Sequence, residues 1–352
     1  MSRKYQFFFS GLLFLCLLVV ITGCGKQEQT TSASSQPVSH TYFIFDTIVS
    51  LRVYDDRMTS AHFDEVEGLL KQIDQEMNRQ LEGSEIDQVN RHAGQKAVPV
   101  SEETFNVVKT SLEYAEASGG KFDPTVGPIV DLWGIGNEGA AIPSPDALAS
   151  ALQLVGYSGV ELDEASLTIK LQEPGMMLDL GAIAKGYAAD VIAEYLKENG
   201  FESAIIDLGG NVLAMGPKPG GHDWSIGIQA PDEKRGTHLG LIKVKDKTIV
   251  TSGIYERFFK ENGVVYHHIL DPDDGYPVAN DLLSVTIVTQ YSMDADALST
   301  SAFSLGLEEG MRFIEARQNT NAIFITENKD IYVTSGLRGQ FELTNSDYHL
   351  IE

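Results

Sequence analysis

Residues 284–300 read SVTIVTQYSMDADALST, and the stretch changes backbone periodicity midway. SVTIVT (284–289) is rich in β-branched residues and reads as a strand. DADALST (294–300) reads as a helix start, with Ser292 as N-cap and acids in the first turn beside the positive end of the helix dipole. On that helix Asp296 and Thr300 are four apart and share a face, whereas Asp294 points elsewhere. A carboxylate beside a hydroxyl makes a pair of hard oxygen donors, suited to Mg²⁺ or Ca²⁺ and poor for softer metals. Capping alone would also account for the acids, and these residues by themselves favour neither reading.

Outward from this stretch, strands and helices alternate without a strict βαβ rhythm. Residues 47–54 (TIVSLRVY) place Val49, Leu51 and Val53 on one strand face. Residues 59–77 carry apolar side chains at helical spacing: Phe63, Val66, Leu70, Ile73 and Met77. A second helix starts at the N-cap Ser101, takes Glu102 and Glu103 into its first turn, and stops at Gly119-Gly120. SAIIDLGGN (203–211) reads as a buried strand running into a glycine turn. LIKVKDKTIVTSG (241–253) is also extended, and AIFIT (322–326) with DIYVT (330–334) reads as a hairpin. With no internal repeat and no second linker, residues 40–352 are expected to form one α+β unit with room for two lobes.

Composition narrows the function. Of 352 residues, 43% are apolar and 22% charged, enough material for a soluble core. Fifty acidic against 26 basic residues give a net charge of −24, which argues against nucleic acid as a partner. Arg3 and Lys4 precede an apolar run from Phe7 to Ile21, the layout of a secretory signal over residues 1–23. Cys24 follows Thr22-Gly23 and resembles a bacterial lipobox cysteine, lipidated as the mature N-terminus. Residues 24–39 then serve as a polar tether. The only two cysteines are Cys16 and Cys24, so the domain beyond them has no thiol for a disulfide, a metal or a nucleophile.

Four further stretches could carry chemistry. In LDLGAIAKGYAAD (178–190) an apolar strand runs into Gly181 and a helix lined by Ala182, Ala184 and Gly186. Small residues there either let a phosphate approach the helix N-terminus, with Lys185 adding charge, or simply allow tight packing with Lys185 solvated. TSGIYERFF (251–259) leads to YHHILDPDDGYP (266–277), where His267 and His268 face opposite ways if the chain is extended, so at most one serves a site. Asp271-Pro272 and Asp274-Gly275 are turn chemistry. KFDPTVGPIVDLWGIG (121–136) makes either an aromatic wall for a planar ligand or, through Trp133, part of the core.

Taken together these motifs resemble the ApbE family of FAD:protein FMN transferases. In order they are FDT (45–47), SEI (84–86), KFDPTVGP, LDLGAIAKGYAAD, DLGGN, TSGIYERFF, HHILDP with GYP, and DADALST, spanning about residues 40–340. The resemblance implies that FAD is the substrate and that a divalent cation, usually Mg²⁺, sits on its pyrophosphate. A Thr or Ser hydroxyl of another protein would attack the FMN-side phosphorus, and AMP would leave. Asp296, Thr300 and the Ala182 carbonyl would hold the cation, with Ser299 standing where some relatives carry a further acid. Phe45, Lys121, Phe122, Asp123, Asp179, Lys185, Ile269 and Leu270 would line the FAD site, and His268 would act as base or phosphate contact. Many relatives place a tyrosine before SEI to pack on the flavin, where this chain has Gln80.

The resemblance implies further that the acceptor is an exported or membrane-exposed flavoprotein with a D-G-x-[ST]-G-A-[ST]-like motif. The enzyme itself would be lipid-anchored at the outer face of the cytoplasmic membrane. Two rivals stand beside this reading. One is a metal-dependent FAD pyrophosphatase releasing FMN and AMP; the other is a flavin-binding lipoprotein without catalysis, which would have no need of a hard-metal site.

Overall fold

Val49, Leu51 and Val53, on one face by alternation, are all fully buried, and the strand that carries them pairs on both sides. The computed structural model describes residues 36–351. The signal segment and Cys24 lie outside the described residues. The folded unit begins inside the stretch expected as tether, because Val38 and Ser39 already pair with Val53 and Arg52.

The centre is a nine-stranded sheet. Its order is β1 (Val38–Ile44), β2 (Thr47–Val53), β6 (Ala204–Leu208), β7 (Asn211–Met215), β10 (Lys247–Gly253), β13 (Leu282–Thr289), β14 (Asn321–Thr326), β15 (Asp330–Val333) and β17 (His349–Ile351). Neighbours are antiparallel except β15 and β17. Three small sheets flank it. They are β3 (Val98–Pro99) with β5 (Thr168–Leu171) and β4 (Val160–Asp163); β16 (Phe341–Leu343) with β9 (His238–Val244) and β8 (Trp224–Gln229); and the hairpin β11 (Phe258–Glu261) with β12 (Val264–His267).

Seven helices are defined among the described residues: α1 (Ser60–Met77), α2 (Glu85–Arg91), α3 (Glu102–Ala117), α4 (Gly127–Trp133), α5 (Pro145–Leu152), α6 (Ala184–Glu198) and α7 (Ser292–Glu315). The apolar stripe of α1 and the inner faces of α3 and α6 share one core with Val49, Leu51 and Val53. Further along, α7 covers Val285, Ile287 and Phe324. Ile205, Ile249, Val288 and Ile323 point the other way, onto β8, β9 and β16. Central strands are thus buried on both faces, and every residue of SVTIVT (284–289), its three hydroxyl residues included, is buried. Each Val or Ile buried in this way contributes about 1.5–3 kcal/mol. Helices on one side of an antiparallel sheet are the expected α+β architecture.

Three local expectations change. The 241–253 run is two strands in two sheets, broken where Asp246 adopts a left-handed φ of 51°. Residues 178–180 form no strand. They are held extended by Asn90, whose side chain accepts from the Leu178 amide (2.7 Å) and donates to its carbonyl (3.0 Å), and by the Asp179 amide donating to Pro124 O (2.7 Å). Ser292 is not the N-cap of α7. Tyr291 occupies that position, and the Ser292 hydroxyl turns inward to donate to Asn211 Oδ1 (2.6 Å).

The cap comes instead from a different helix. Asp190 of α6 accepts from the amides of Ser292 and Met293, each at 2.8 Å, so its carboxylate closes the first turn of α7. Burial pushes this carboxyl up to about 6, and the two amide donors oppose that shift. Asp190→Ala should lower unfolding free energy by about 1–2 kcal/mol, the usual worth of a lost cap. Asp190→Asn, which keeps an acceptor, should lose less. Urea melts at pH 7 check both; equal stability for wild type and the alanine variant would overturn the capping role.

Candidate active site

The N-terminus of α6 lies against the start of α7, and Gly186 is where they touch. A Cβ at Gly186 would lie 2.2 Å from the Ser292 carbonyl oxygen, so glycine is required by a neighbouring backbone rather than by a ligand. The contact puts Asp296 beside the first turn of α6. Asp296 is 4% exposed, and its Oδ2 accepts from the Gly186 amide at 3.0 Å. In an uninterrupted helix that amide would serve the Ala182 carbonyl. Asp296 thus caps α6 just as Asp190 caps α7, and the two helices terminate each other.

Lys185 completes the arrangement. Its ammonium lies 3.3 and 3.4 Å from the two oxygens of Asp296 and donates to the Gly181 carbonyl at 3.0 Å. It is therefore an ion-pair partner and not a solvated surface lysine. One turn further along α7, Thr300 Oγ1 is 3.3 Å from Ser252 Oγ, which is 2.7 Å from Ser299 Oγ. Ser299 donates to the Asp296 carbonyl (2.9 Å), so Ser252 donates to Ser299 and Thr300 to Ser252. That order leaves the Thr300 lone pairs free. Ser299, fully buried, is spent on this relay.

Among the described residues no three His, Cys, Asp or Glu side chains gather into a metal cluster. The donors here are of another kind: one carboxylate, one hydroxyl with free lone pairs and one carbonyl whose helical donor is diverted. All are hard oxygens on adjoining helix starts, and this set fits a Mg²⁺ or Ca²⁺ ion completed by phosphate oxygens and water.

The two histidines have different fates. His267 is buried; its Nδ1 accepts from the Ile269 amide (3.3 Å), so Nε2 carries the proton toward the Val278 carbonyl (3.2 Å). Both nitrogens are used, and burial holds its pKa below the ordinary histidine value. His268 is exposed. Its Nδ1 lies 3.2 Å from the Arg257 carbonyl, which can only accept, so the proton sits on Nδ1 and Nε2 presents a lone pair. Desolvation of the ring by the atoms packed around it, then His267 and the charges of Arg257 and Lys185, lower the His268 pKa and favour the neutral form, even though part of the residue reaches solvent.

Other residues expected at the site sit around this centre in varied ways. Asp179 accepts from the Gly181 amide (2.8 Å) and from Arg79 (2.6 Å), which also reaches Asp131 (2.7 Å). Phe45 and Asp46 form a two-residue hairpin turn with φ of 55° and 53°, a left-handed pair usually left to Asn and Gly. This turn lies beside the Gly209-Gly210 turn, where a Cβ on Gly209 would fall 2.2 Å from Thr47 Oγ1. Gln80 is exposed just beyond α1, its amide donating to Asn78 Oδ1. Lys121 pairs with Asp271 and Asp273, each at 2.8 Å.

Four expected FAD contacts turn their side chains inward. Phe122 packs in the helical core and Ile269 beneath α7, while Leu270 joins the Trp133 cluster. Asp123 spends its oxygens on Thr125 and on the Tyr157 amide. Trp133 itself is fully buried and donates to the Gly275 carbonyl at 2.7 Å, so it is core rather than a ligand wall. Cavities of about 140 and 220 Å³ exist elsewhere, and neither is lined by Asp296, Thr300 or Lys185.

Arg79, Arg257, Ser252 and Asp190 were not singled out from sequence. Arg79 stands between Asn78 and Gln80, but its partners are 52 and 100 positions away. Arg257 and Ser252 lie within TSGIYERFF, and Asp190 ends LDLGAIAKGYAAD, so the motifs marked their neighbourhood without their roles.

Fold and site together are those of an α+β protein that gathers hard oxygen donors and a lysine at two adjoining helix starts. A sequence profile of the ApbE family matches residues 45–324, and the chain belongs to that family. A FAD:protein FMN transferase of Klebsiella pneumoniae (strain 342) is 36% identical over 305 residues, 87% of this chain and 93% of its own. One from Treponema pallidum (strain Nichols) is 36% identical over 341 residues, covering 92% and 93%. The crystal structure of the ApbE protein from Thermotoga maritima superposes with a TM-score of 0.80 at 32% identity, covering 87% of this chain and 99% of that one. The flavin transferase ApbE from Vibrio cholerae gives 0.79 at 28% identity, with the same coverage.

Gly186→Ala tests the helix contact. The added methyl must push α6 from α7, costing about 1–3 kcal/mol and displacing Asp296 from its cap. Calorimetry of the variant should show the loss, and Mg²⁺ should bind more weakly by titration. Unchanged melting would mean that the two helix starts are not in contact.

Proposed function

We propose that this protein transfers FMN from FAD to a Thr or Ser hydroxyl of an acceptor flavoprotein, releasing AMP. The observation that carries the proposal is the meeting of Asp296, Lys185 and the Gly186 amide at the adjoining starts of α6 and α7, with Thr300 one turn along α7, in a chain of the ApbE family. Asp296, Thr300 and the Ala182 carbonyl would hold Mg²⁺, which when bound withdraws charge from the pyrophosphate. Lys185 and Arg257 add positive charge where the anionic substrate must sit. His268 Nε2 takes the proton from the acceptor hydroxyl; that oxygen forms its bond to the FMN-side phosphorus as the bond to the AMP oxygen breaks.

The acceptor is expected to carry a D-G-x-[ST]-G-A-[ST]-like motif and to lie outside the cytoplasm. Cys24 would anchor the enzyme by lipid at the extracytoplasmic face of the membrane. Among the described residues no helix is long and apolar enough to cross a membrane.

The test mixes the protein with FAD, Mg²⁺ and an acceptor domain bearing the motif, then follows flavin fluorescence on a denaturing gel. A fluorescent acceptor band that EDTA abolishes is the expected result. A dark band with free FMN and AMP would replace transfer by hydrolysis, and intact FAD would leave only binding. Asp296→Ala should lower the Mg²⁺-dependent rate by about 100-fold or more, at least the loss typical of a metal site's outer-shell residue. A fully active variant after chelation and Mg²⁺ readdition would remove Asp296 from the site.

A pH series tests the base. Transfer requires neutral His268, so the rate is lost as pH falls through its pKa, which lies below the ordinary 6.5. Transfer kcat/KM should therefore hold at pH 6.5 and decline only at lower pH, and His268→Gln should be slow and lack that acid limb. An unaltered limb in the glutamine variant would assign the proton to another group.

A further inference from the structure

We infer that the Lys185 ammonium is an internal counter-ion of Asp296 that a divalent cation must displace, so that Lys185 sets how tightly the site takes its metal. The inference rests on the cation site of the proposed function and goes beyond it in giving Lys185 two alternating partners. Asp296 is a buried carboxylate whose side-chain donors are the Gly186 amide at 3.0 Å and the Lys185 ammonium at 3.3 and 3.4 Å. A carboxylate so enclosed needs compensating charge, because one amide does not replace the water it has lost. Lys185 supplies that charge across both oxygens, and its third contact is the Gly181 carbonyl.

A divalent ion on the same carboxylate would meet a full positive charge a few ångströms away. The two cations therefore compete for Asp296, and the occupant with more oxygen donors available wins. The Lys185 side chain is 32% exposed against 6% for Asp296, so the lysine can leave while the carboxylate stays. Its flexible four-carbon stem lets the ammonium move without moving α6. The ammonium also donates to the Gly181 carbonyl just ahead of α6, so on leaving Asp296 it stays near the helix start, available to the anionic oxygens of a pyrophosphate. Substrate and metal are thereby linked. Phosphate oxygens that draw Lys185 away tighten the metal, and a bound metal frees Lys185 for phosphate, as reciprocity of coupling requires.

The experiment titrates the full chain, without FAD, with Mn²⁺ followed by electron paramagnetic resonance. Mn²⁺ is chosen as a spectroscopic ion that accepts hard oxygen donors. Wild type, Lys185→Met, Lys185→Arg and Asp296→Ala are compared, and each is melted in EDTA and in Mg²⁺. Lys185→Met should bind Mn²⁺ about tenfold more tightly, the effect of removing one partly screened charge. It should also melt lower than wild type in EDTA and regain the difference in Mg²⁺. Lys185→Arg keeps the charge and should bind Mn²⁺ like wild type.

Gain in metal affinity with loss of metal-free stability is a pair of opposite signs that a merely structural lysine would not produce. Equal or weaker Mn²⁺ binding by Lys185→Met, at a site that Asp296→Ala abolishes, would overturn the counter-ion role while leaving the proposed metal site intact. Mn²⁺ binding that Asp296→Ala does not disturb would overturn both.

Discussion

Two aspartates, each capping the other's helix, hold the site together. Asp190 of α6 accepts from the first amides of α7, and Asp296 of α7 accepts from the Gly186 amide of α6. Each helix start would otherwise carry unsatisfied donors in a buried place. The exchange fixes the distance between the helices, and Gly186 permits it because the Ser292 carbonyl lies where a side chain would be. Asp296 is consequently positioned by backbone on both sides, the kind of support that the proposed metal-ligand role would need.

Charge in the molecule runs against this local pattern. The chain is strongly acidic overall, at −24, yet Lys185, Arg257 and Arg79 converge near the site. Two of these cations are matched by acids, Lys185 by Asp296 and Arg79 by Asp179 and Asp131. Asp179 illustrates the balance. Its carboxylate is held by Arg79 and the Gly181 amide, so it orders the loop ahead of α6. Among the described residues, strain is visible at Phe45, a bulky residue held at positive φ in a turn beside that of Gly209-Gly210. Backbone strain of this sort persists where the surrounding structure over-determines it.

Much of this was readable along the chain because it depends on neighbours in sequence. Alternation at Val49, Leu51 and Val53, the stripe from Phe63 to Met77, the Ser101 cap and the four-residue spacing of Asp296 and Thr300 are all local patterns. The order of the motifs was sufficient to suggest the family. What was misread also has a local cause. Ser292 has the chemistry of a cap, but an aspartate from another helix reached the α7 amides first. For Trp133 the sequence allowed both a ligand wall and the core, and the Gly275 carbonyl and neighbouring aromatic rings enclose it.

The sequence by itself determined several of the elements, the α+β class and the kinds of donor atom available, because periodicity and side-chain chemistry are properties of short segments. Only tertiary structure decided that His267 is buried with both ring nitrogens engaged while His268 is exposed with Nδ1 on the Arg257 carbonyl, since that depends on which ring nitrogen meets which distant carbonyl. It decided likewise that Lys185 faces Asp296 across 111 positions and that Arg79 reaches Asp179 across 100. Such pairings are set by how α6 and α7 pack on the sheet, and no spacing along the chain encodes them.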